Sequence, residues 1–235
     1  MHIEATDDTP APARSEHVSE AVQDYAKAIY SLHRRTGEPV STSAVAERLE
    51  VSSASASAML KRLGSMGLVT HERYGGTELT EYGMRVALAV IRHHRLLELY
   101  LAEALGMSWD RVHAEAEVLE HAISPELSAL IAEKLGHPTH DPHGDPIPTP
   151  DGSIEEAANV PLAEVGEGER GVFTRMSDSD PEMLRYLSDR GIAPGDRLEV
   201  VERQPFDGPL TVRFASGEYA LGGGLVRMMR VAVER

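Results

Sequence analysis

Two histidine–glutamate pairs spaced four residues apart, His94 with Glu98 and His113 with Glu117, are followed by Glu120 and His121. On an α-helix, positions 113, 117 and 120 fall within about 60° of one another, with 121 beside them. Imidazole and carboxylate recurring on a shared helical face is the layout of a divalent-metal site. For any single pair, a solvated helix face explains the pattern as well. Here two segments carry it, and Leu96, Leu97, Leu99, Leu101, Val112, Val118, Leu119 and Ile123 provide apolar surface to bury the rest. A carboxylate turned toward a neighbouring helix needs a cationic partner, because a lone buried charge is costly.

Other chemistries find less support. The chain has no cysteine, which rules out disulfides and thiolate metal sites and fits the cytoplasm. It has no HExxH, no nucleophile motif, no GxGxxG and no P-loop. The expectation is therefore not an enzyme, and a hydrolytic metal centre is the rival reading. No run of 18 apolar residues suggests a membrane span. Residues 1–16 are polar and acidic without an apolar h-region, which reads as a flexible leader rather than a signal peptide. His137, His140 and His143 also invite a metal reading, but prolines interleave them, and a semi-rigid connector is the expectation.

The formal net charge of −15 argues at first against a polyanionic partner, but its distribution is uneven. Residues 21–100 hold ten Lys/Arg against eight Asp/Glu, whereas residues 101–235 hold twelve against twenty-five. Only the first structured segment suits nucleic acid, and the acidic remainder limits indiscriminate binding.

These residues must be positioned by a succession of elements. Val18, Ala21, Val22, Tyr25, Ala26, Ile29 and Tyr30 recur at helical spacing, which predicts an amphipathic first helix with Asp24 on its polar side. A short helix capped by Ser43 follows, then a turn at Val51-Ser52 and a second helix from Ser53 to about Met66. The stretch LVTHERYGGTELT reads as a hairpin around Tyr74-Gly75-Gly76. Helix, turn, helix and hairpin make a winged helix-turn-helix. Ser52, Ser53, Ser55 and Ser57 near the second helix's N-terminus, with Lys61, Arg62 and Arg73, suit phosphate and groove contacts. No Asn, Gln or Arg lies on its first turns, so shape readout must contribute.

Thr80 caps a long helix over about Glu81–Leu105, Ser108 a helix over about Trp109–Ile123, and Ser124-Pro125 opens one running to Leu135. From Asn159 the texture turns to short β runs (171–175, 196–203, 210–214, 225–233) with a helix at about Pro181–Arg190, the pattern of a small SH3-like barrel.

The motifs DYAKAIY, AERLEVSSASAS, RHHRLLE, VHAEAEVLEH and HGDPIP together resemble the diphtheria-toxin-repressor family of metal-dependent transcriptional repressors, over about residues 20–235. The resemblance implies a mainly α protein with a C-terminal β domain. Its expected parts are a leader (1–16), a winged helix-turn-helix (17–83), a helical metal-binding and dimerisation domain (84–136), a linker (137–158) and an SH3-like, FeoA-type barrel (159–235). It implies a main metal site of Asp24, Glu117, Glu120 and His121, and a second of His94, Glu98 and His113. The barrel lends ligands to the second site in some members. One such position falls near Asp178, which suits, and the other near Arg175, which cannot ligate.

Iron-branch members carry Met and Cys where this chain has Asp24 and Glu117, whereas the manganese branch carries Asp and Glu. Three carboxylates and one imidazole form a hard, oxygen-rich set that suits Mn(II) and tolerates Fe(II). Some manganese sensors carry Glu at position 27, so Lys27 removes a ligand for a second, closely spaced ion. The resemblance thus implies a Mn(II)-dependent repressor of metal-homeostasis genes with two ions per subunit, acting as a homodimer on a palindromic DNA operator. No membrane partner or small-molecule substrate is expected, and an iron-responsive repressor is the alternative. Without metal, the converging carboxylates are expected to repel and loosen the first helix. Metal would pin that helix and set both recognition helices on successive major grooves.

Overall fold

The structure, a computed structural model, describes residues 18–72, 76–155, 157–206 and 208–234. Helix α1 (Glu20–Thr36) buries Val22, Tyr25, Ala26 and Ile29 along one stripe and ends at Gly37. Gly37 takes a left-handed φ of 71° and donates its N–H to the His33 carbonyl at 2.7 Å. Helix α2 (Thr42–Arg48) is capped by Ser41, whose side chain accepts from the Ala44 amide, and not by Ser43 as expected. The cause is tertiary: Val40 bridges to Thr77 of the hairpin, so the chain is still extended at 41.

Ser52 caps α3 (Ser53–Ser65) by accepting from the Ser55 amide, and the turn before it is made by Glu50 at a positive φ of 53°. Strands β1 (Val69–Glu72) and β2 (Gly76–Leu79) pair antiparallel, with Val69 opposite Leu79. Val22, Ile29, Val45, Leu60, Leu63 and Leu68 fill the core between these elements. Together they form the winged helix-turn-helix.

Helix α4 (Glu81–Leu105) is 25 residues, which makes it about 37 Å long. Thr80 caps it by accepting from Gly83 at 3.1 Å and donates its own hydroxyl to Gly67 O at 2.6 Å. Gly83 lies so close to the wing that a Cβ there would sit 2.0 Å from the Leu68 carbonyl oxygen. This close approach locks α4 to the winged unit. Helix α5 (Trp109–Leu119) is shorter than its sequence pattern, so Glu120 is its C-cap and His121 lies beyond it. Helix α6 (Pro125–Lys134) follows, capped by Ser124. Leu96, Leu97, Leu99, Ala116, Ile131 and Ile147 unite these helices in one core.

Residues 137–149 are more than the semi-rigid connector expected from their prolines. They lie along α4 as a strap. Arg92 donates to Pro148 O at 2.6 Å, Arg95 donates to Pro146 O and to Asp145 at 3.1 Å, and Ile147 joins the helical core. Gly144, at φ 85°, passes so near the barrel that a Cβ would lie 1.9 Å from Thr174 O. Proline stiffens the segment, and specific hydrogen bonds seat it.

The barrel is a six-stranded antiparallel sheet in the order β3-β8-β4-β5-β6-β7. Its strands are β3 (Val160–Pro161), β4 (Arg170–Met176), β5 (Arg197–Arg203), β6 (Leu210–Phe214), β7 (Gly217–Leu221) and β8 (Met229–Val233). Helix α7 (Pro181–Ser188) buries Leu184 and Leu187 in the same core as Phe173, Met176, Val200 and Val231. Two details differ from the sequence reading. Strand β7 falls in a stretch that reads as a glycine-rich turn between Gly217 and Gly224, and it becomes a strand because β6 offers it hydrogen-bonding partners. The expected strand over 225–233 begins as a short helix α8 (Gly223–Met228), where Leu225 and Val226 turn inward.

Candidate metal centre

Four elements converge on the middle of α4. Helix α1 contributes Asp24 and Lys27, α4 contributes His94 and Glu98, α5 and its C-cap contribute His113, Glu117, Glu120 and His121, and the segment between β4 and α7 contributes Asp178. His94, Glu98 and Glu120 are buried, which is unusual for ionisable groups without partners.

Asp24, Glu120 and His121 form one group with donor atoms all within 4.8 Å of one another. His121 Nε2 lies 2.9 Å from Asp24 Oδ1 and 3.5 Å from Glu120 Oε1. His121 Nδ1 lies 2.7 Å from Gln23 Oε1, and the Gln23 amide is itself oriented by donating to Val18 O at 2.9 Å. An amide oxygen only accepts, so Nδ1 carries a proton and Nε2 is the nitrogen turned toward Asp24. Sequence reasoning missed Gln23. Its position next to Asp24 on α1 is a signal that only the fold interprets. Burial leads the causes that raise the Asp24 pKa, with Glu120 and Glu117 adding to it and His121 and Lys27 opposing.

Glu117, the fourth residue of the expected main site, joins a different group with His94 and Glu120. Lys27 stands within that group. Its Nζ donates to Glu117 Oε1 at 2.8 Å and to Glu120 Oε1 and Oε2 at 2.9 and 2.8 Å, and it lies 3.3 Å from His94 Nδ1. The Glu117 pKa is lowered, because the Lys27 charge and hydrogen bond outweigh burial. The expected loosening of α1 by bare carboxylate repulsion therefore does not describe this arrangement, since an ammonium from α1 neutralises the α5 carboxylates.

His94 links the two halves of the centre. Its Nδ1 lies 2.5 Å from Glu120 Oε2, and its Nε2 lies 3.0 Å from Glu98 Oε1 and 3.1 Å from His113 Nδ1. Burial alone would depress its pKa, but the bonds to Glu120 and Glu98 reverse this and raise it.

His94, Glu98, His113 and Asp178 form the second group. His113 Nδ1 is 3.0 Å from Asp178 Oδ2 and 3.2 Å from Glu98 Oε1. Those two carboxylates, Asp178 first, raise His113 to about 10. Burial would raise Asp178, but His113 holds it down at about 2. Burial would raise the Glu98 pKa, but hydrogen bonds with His113 and His94, and the nearby His143 ring, hold it well below the usual carboxylate range. Asp178 thus reaches the helical site from the barrel, whereas Arg175 turns to Asp145 at 3.4 Å.

Glu98 also faces Asp141 and His143, a third group of buried donors. His143 Nε2 donates to the Trp109 carbonyl at 2.8 Å, and its ring stacks on the Trp109 indole at 5.9 Å. His143 Nδ1 points toward Glu98 Oε2 at 3.6 Å and is buried without a hydrogen-bond partner. Burial opposes protonation of His143, yet Glu98 and Asp141 raise its pKa to about 9. The Asp141 pKa is pushed well up by burial and by the neighbouring Glu98 and Asp145 charges. An orphaned imidazole nitrogen whose other nitrogen is fixed by a carbonyl, set among buried carboxylates, fits a divalent first-row cation. In the sequence, His143 is set aside together with His137 and His140 and Asp141 is not singled out, because proline-rich sequence conceals which side chains turn inward. His137 and His140 do not join the group.

Of the DNA-facing candidates, Ser52, Ser53, Ser55 and Ser57 lie at the exposed N-terminal end of α3, and Lys61 and Arg62 are exposed further along it. The Ser52 hydroxyl also serves as the cap and lies 2.9 Å from the Ser55 hydroxyl. Arg73 lies outside the described residues.

Comparisons with known proteins match each of the three domains. Residues 17–77 match the model of the iron dependent repressor N-terminal DNA binding domain, and residues 80–149 match that of the iron dependent repressor metal binding and dimerisation domain. Residues 160–233 match the FeoA domain. The chain is 33% identical over 188 residues to the iron-dependent repressor IdeR of Mycobacterium leprae, covering 75% of this chain and 81% of that protein. It is 28% identical over 217 residues to the diphtheria toxin repressor of Corynebacterium diphtheriae, covering 88% and 94%. A solved manganese-dependent transcriptional repressor in complex with manganese superposes with a TM-score of 0.83 at 43% identity, covering 91% of this chain and 100% of that one. The chain therefore belongs to the diphtheria-toxin-repressor family of metal-dependent transcriptional regulators.

Proposed function

We propose that the protein is a Mn(II)-responsive repressor that binds operator DNA as a homodimer and controls metal-homeostasis genes in the cytoplasm. The observation that carries the reading is the hard donor set joining α1 to the α5 C-cap: Asp24 and Glu120 with His121, and Glu117 alongside. With no cysteine in the chain and carboxylates at 24 and 117, the set favours Mn(II) over softer ions while tolerating Fe(II). Asp24, Glu117, Glu120 and His121 would hold one ion. His94, Glu98, His113 and Asp178 would hold the second, with Asp141 and His143 completing its surroundings, for two ions per subunit. When bound, the ion would supply a divalent charge shared by the carboxylates of α1 and α5, beyond the single charge that Lys27 already brings to Glu117 and Glu120.

The residues themselves do the rest. Asp24 ties α1, and with it the winged unit packed on α1, to the helical scaffold. Gln23 holds His121 in the tautomer that leaves Nε2 free. Asp178 draws the barrel onto α5. Val118, Leu119, Leu127 and Leu130 stand exposed on α5 and α6, which supports a homodimer through that face. Ser52, Ser53, Ser55, Ser57, Lys61 and Arg62 would contact the operator, largely through phosphates. A fixed spacing between two winged units would then match successive major grooves.

The iron-responsive alternative draws on the iron-dependent names of the curated relatives. Operator binding titrated anaerobically with Mn(II) and Fe(II), alongside metal counting, separates the two readings. Glu117→Ala is expected to abolish metal-dependent operator binding while dimers persist. Unchanged metal-dependent binding in that variant would refute the site.

A further inference from the structure

Lys27 is a charged group that this metal reading leaves without a role. It lies on α1 one turn after Asp24, and its side chain is only 17% exposed. Its three N–H groups meet three carboxylate oxygens, one from Glu117 and two from Glu120, at 2.8–2.9 Å, with His94 Nδ1 at 3.3 Å. His94, Glu117 and Glu120 are by themselves a group with donors close enough to share one metal ion. The ammonium thus stands among a set of cation ligands and satisfies them.

We propose that Lys27 is a tethered competitor for the metal: it holds Glu117 and Glu120 in the metal-free chain and raises the Mn(II) concentration at which the switch responds. The inference rests on the assignment of Asp24, Glu117, Glu120 and His121 as the main site. Two of those four ligands are the acceptors of Lys27. An ion drawing on them must displace the ammonium or bind beside a like charge, and either weakens its binding. Because Lys27 and Asp24 share α1, the same helix carries both a metal ligand and the occupant that opposes the metal. The competitor is part of the chain, so its local concentration does not fall on dilution.

The test uses the full chain stripped with a chelator. Mn(II) affinity is measured by calorimetry for the wild type, Lys27→Met, Lys27→Gln and Glu117→Ala, and metal-free melting temperatures are recorded in parallel. Both Lys27 variants are expected to bind Mn(II) at least about tenfold more tightly, because the competing charge is gone. Their metal-free melting temperatures are expected to fall, since Glu117 and Glu120 lose their counter-charge. Affinity decides the matter: Lys27 variants that bind Mn(II) no more tightly than the wild type overturn the proposal. If Glu117→Ala weakens binding in that case, the site assignment stands and only the competitor role fails. If Glu117→Ala binds as the wild type does, the site assignment itself is wrong.

Discussion

Glu120→Gln tests how the metal-free centre is held together. Glu120 is 1% exposed, and its two oxygens accept from Lys27 at 2.9 and 2.8 Å. Oε2 also faces His94 Nδ1 at 2.5 Å, and Oε1 faces His121 Nε2 at 3.5 Å. Glutamine keeps the volume and one acceptor but replaces the other oxygen with a donor that points at cations. Removing one member of a buried charge pair typically costs about 3–5 kcal/mol. Two features place this case near the lower bound: Lys27 retains Glu117 at 2.8 Å, and His94 retains Glu98 at 3.0 Å. The expected loss is therefore about 3 kcal/mol, a large share of the roughly 5–15 kcal/mol that holds a typical domain folded. The assay is urea unfolding of chelator-treated protein, followed by circular dichroism and by the fluorescence of Trp109, the chain's single tryptophan. Because the chain has several cooperative units, the transition that includes α1 is the one to compare. A variant within about 1 kcal/mol of the wild type would refute a structural role for the Lys27–Glu120–His94 network.

Docking of the barrel on α5 should depend on pH in the metal-free protein. His113, raised from 6.5 to about 10, contributes stability that is complete below 6.5 and lost as pH climbs toward about 10. Asp178, lowered from 3.8 to about 2, contributes stability that is complete above 3.8 and lost as pH falls toward about 2. Docking should thus be firmest between those ordinary values, 3.8 and 6.5. Small-angle scattering should register expansion on the alkaline side, and Asp178→Asn should flatten the profile; a radius constant up to pH 10 would contradict this account. Gly144→Ala should free the strap from the barrel, because its Cβ would fall 1.9 Å from Thr174 O at a φ of 85°. The expected cost is about 2 kcal/mol or more, read as faster proteolysis of the segment around residues 137–149; wild-type resistance would count against it.

Much of this centre was legible in the chain because its helical part is local. The spacing of His94 with Glu98 and of His113 with Glu117 is a property of neighbouring residues, and helical geometry turns it into a shared face without reference to the rest of the fold. The caps at Ser52, Thr80 and Ser124 are local in the same sense, since each side chain accepts from an amide three residues on. The cap at Ser41 was misread because a bridge between Val40 and Thr77, far apart in sequence, keeps the chain extended there.

What the amino-acid order determined by itself was the family, the order of elements and the kinds of donor atom available. Tertiary structure alone decided how those donors are shared out. It separated Glu117 from Asp24 and His121 and set Lys27 among the acidic ligands. It also folded a proline-rich segment inward so that Asp141 and His143 face Glu98. The physical reason is that periodicity reports contacts within one turn or one ladder, whereas a buried charge chooses its partner from whatever chain folds against it.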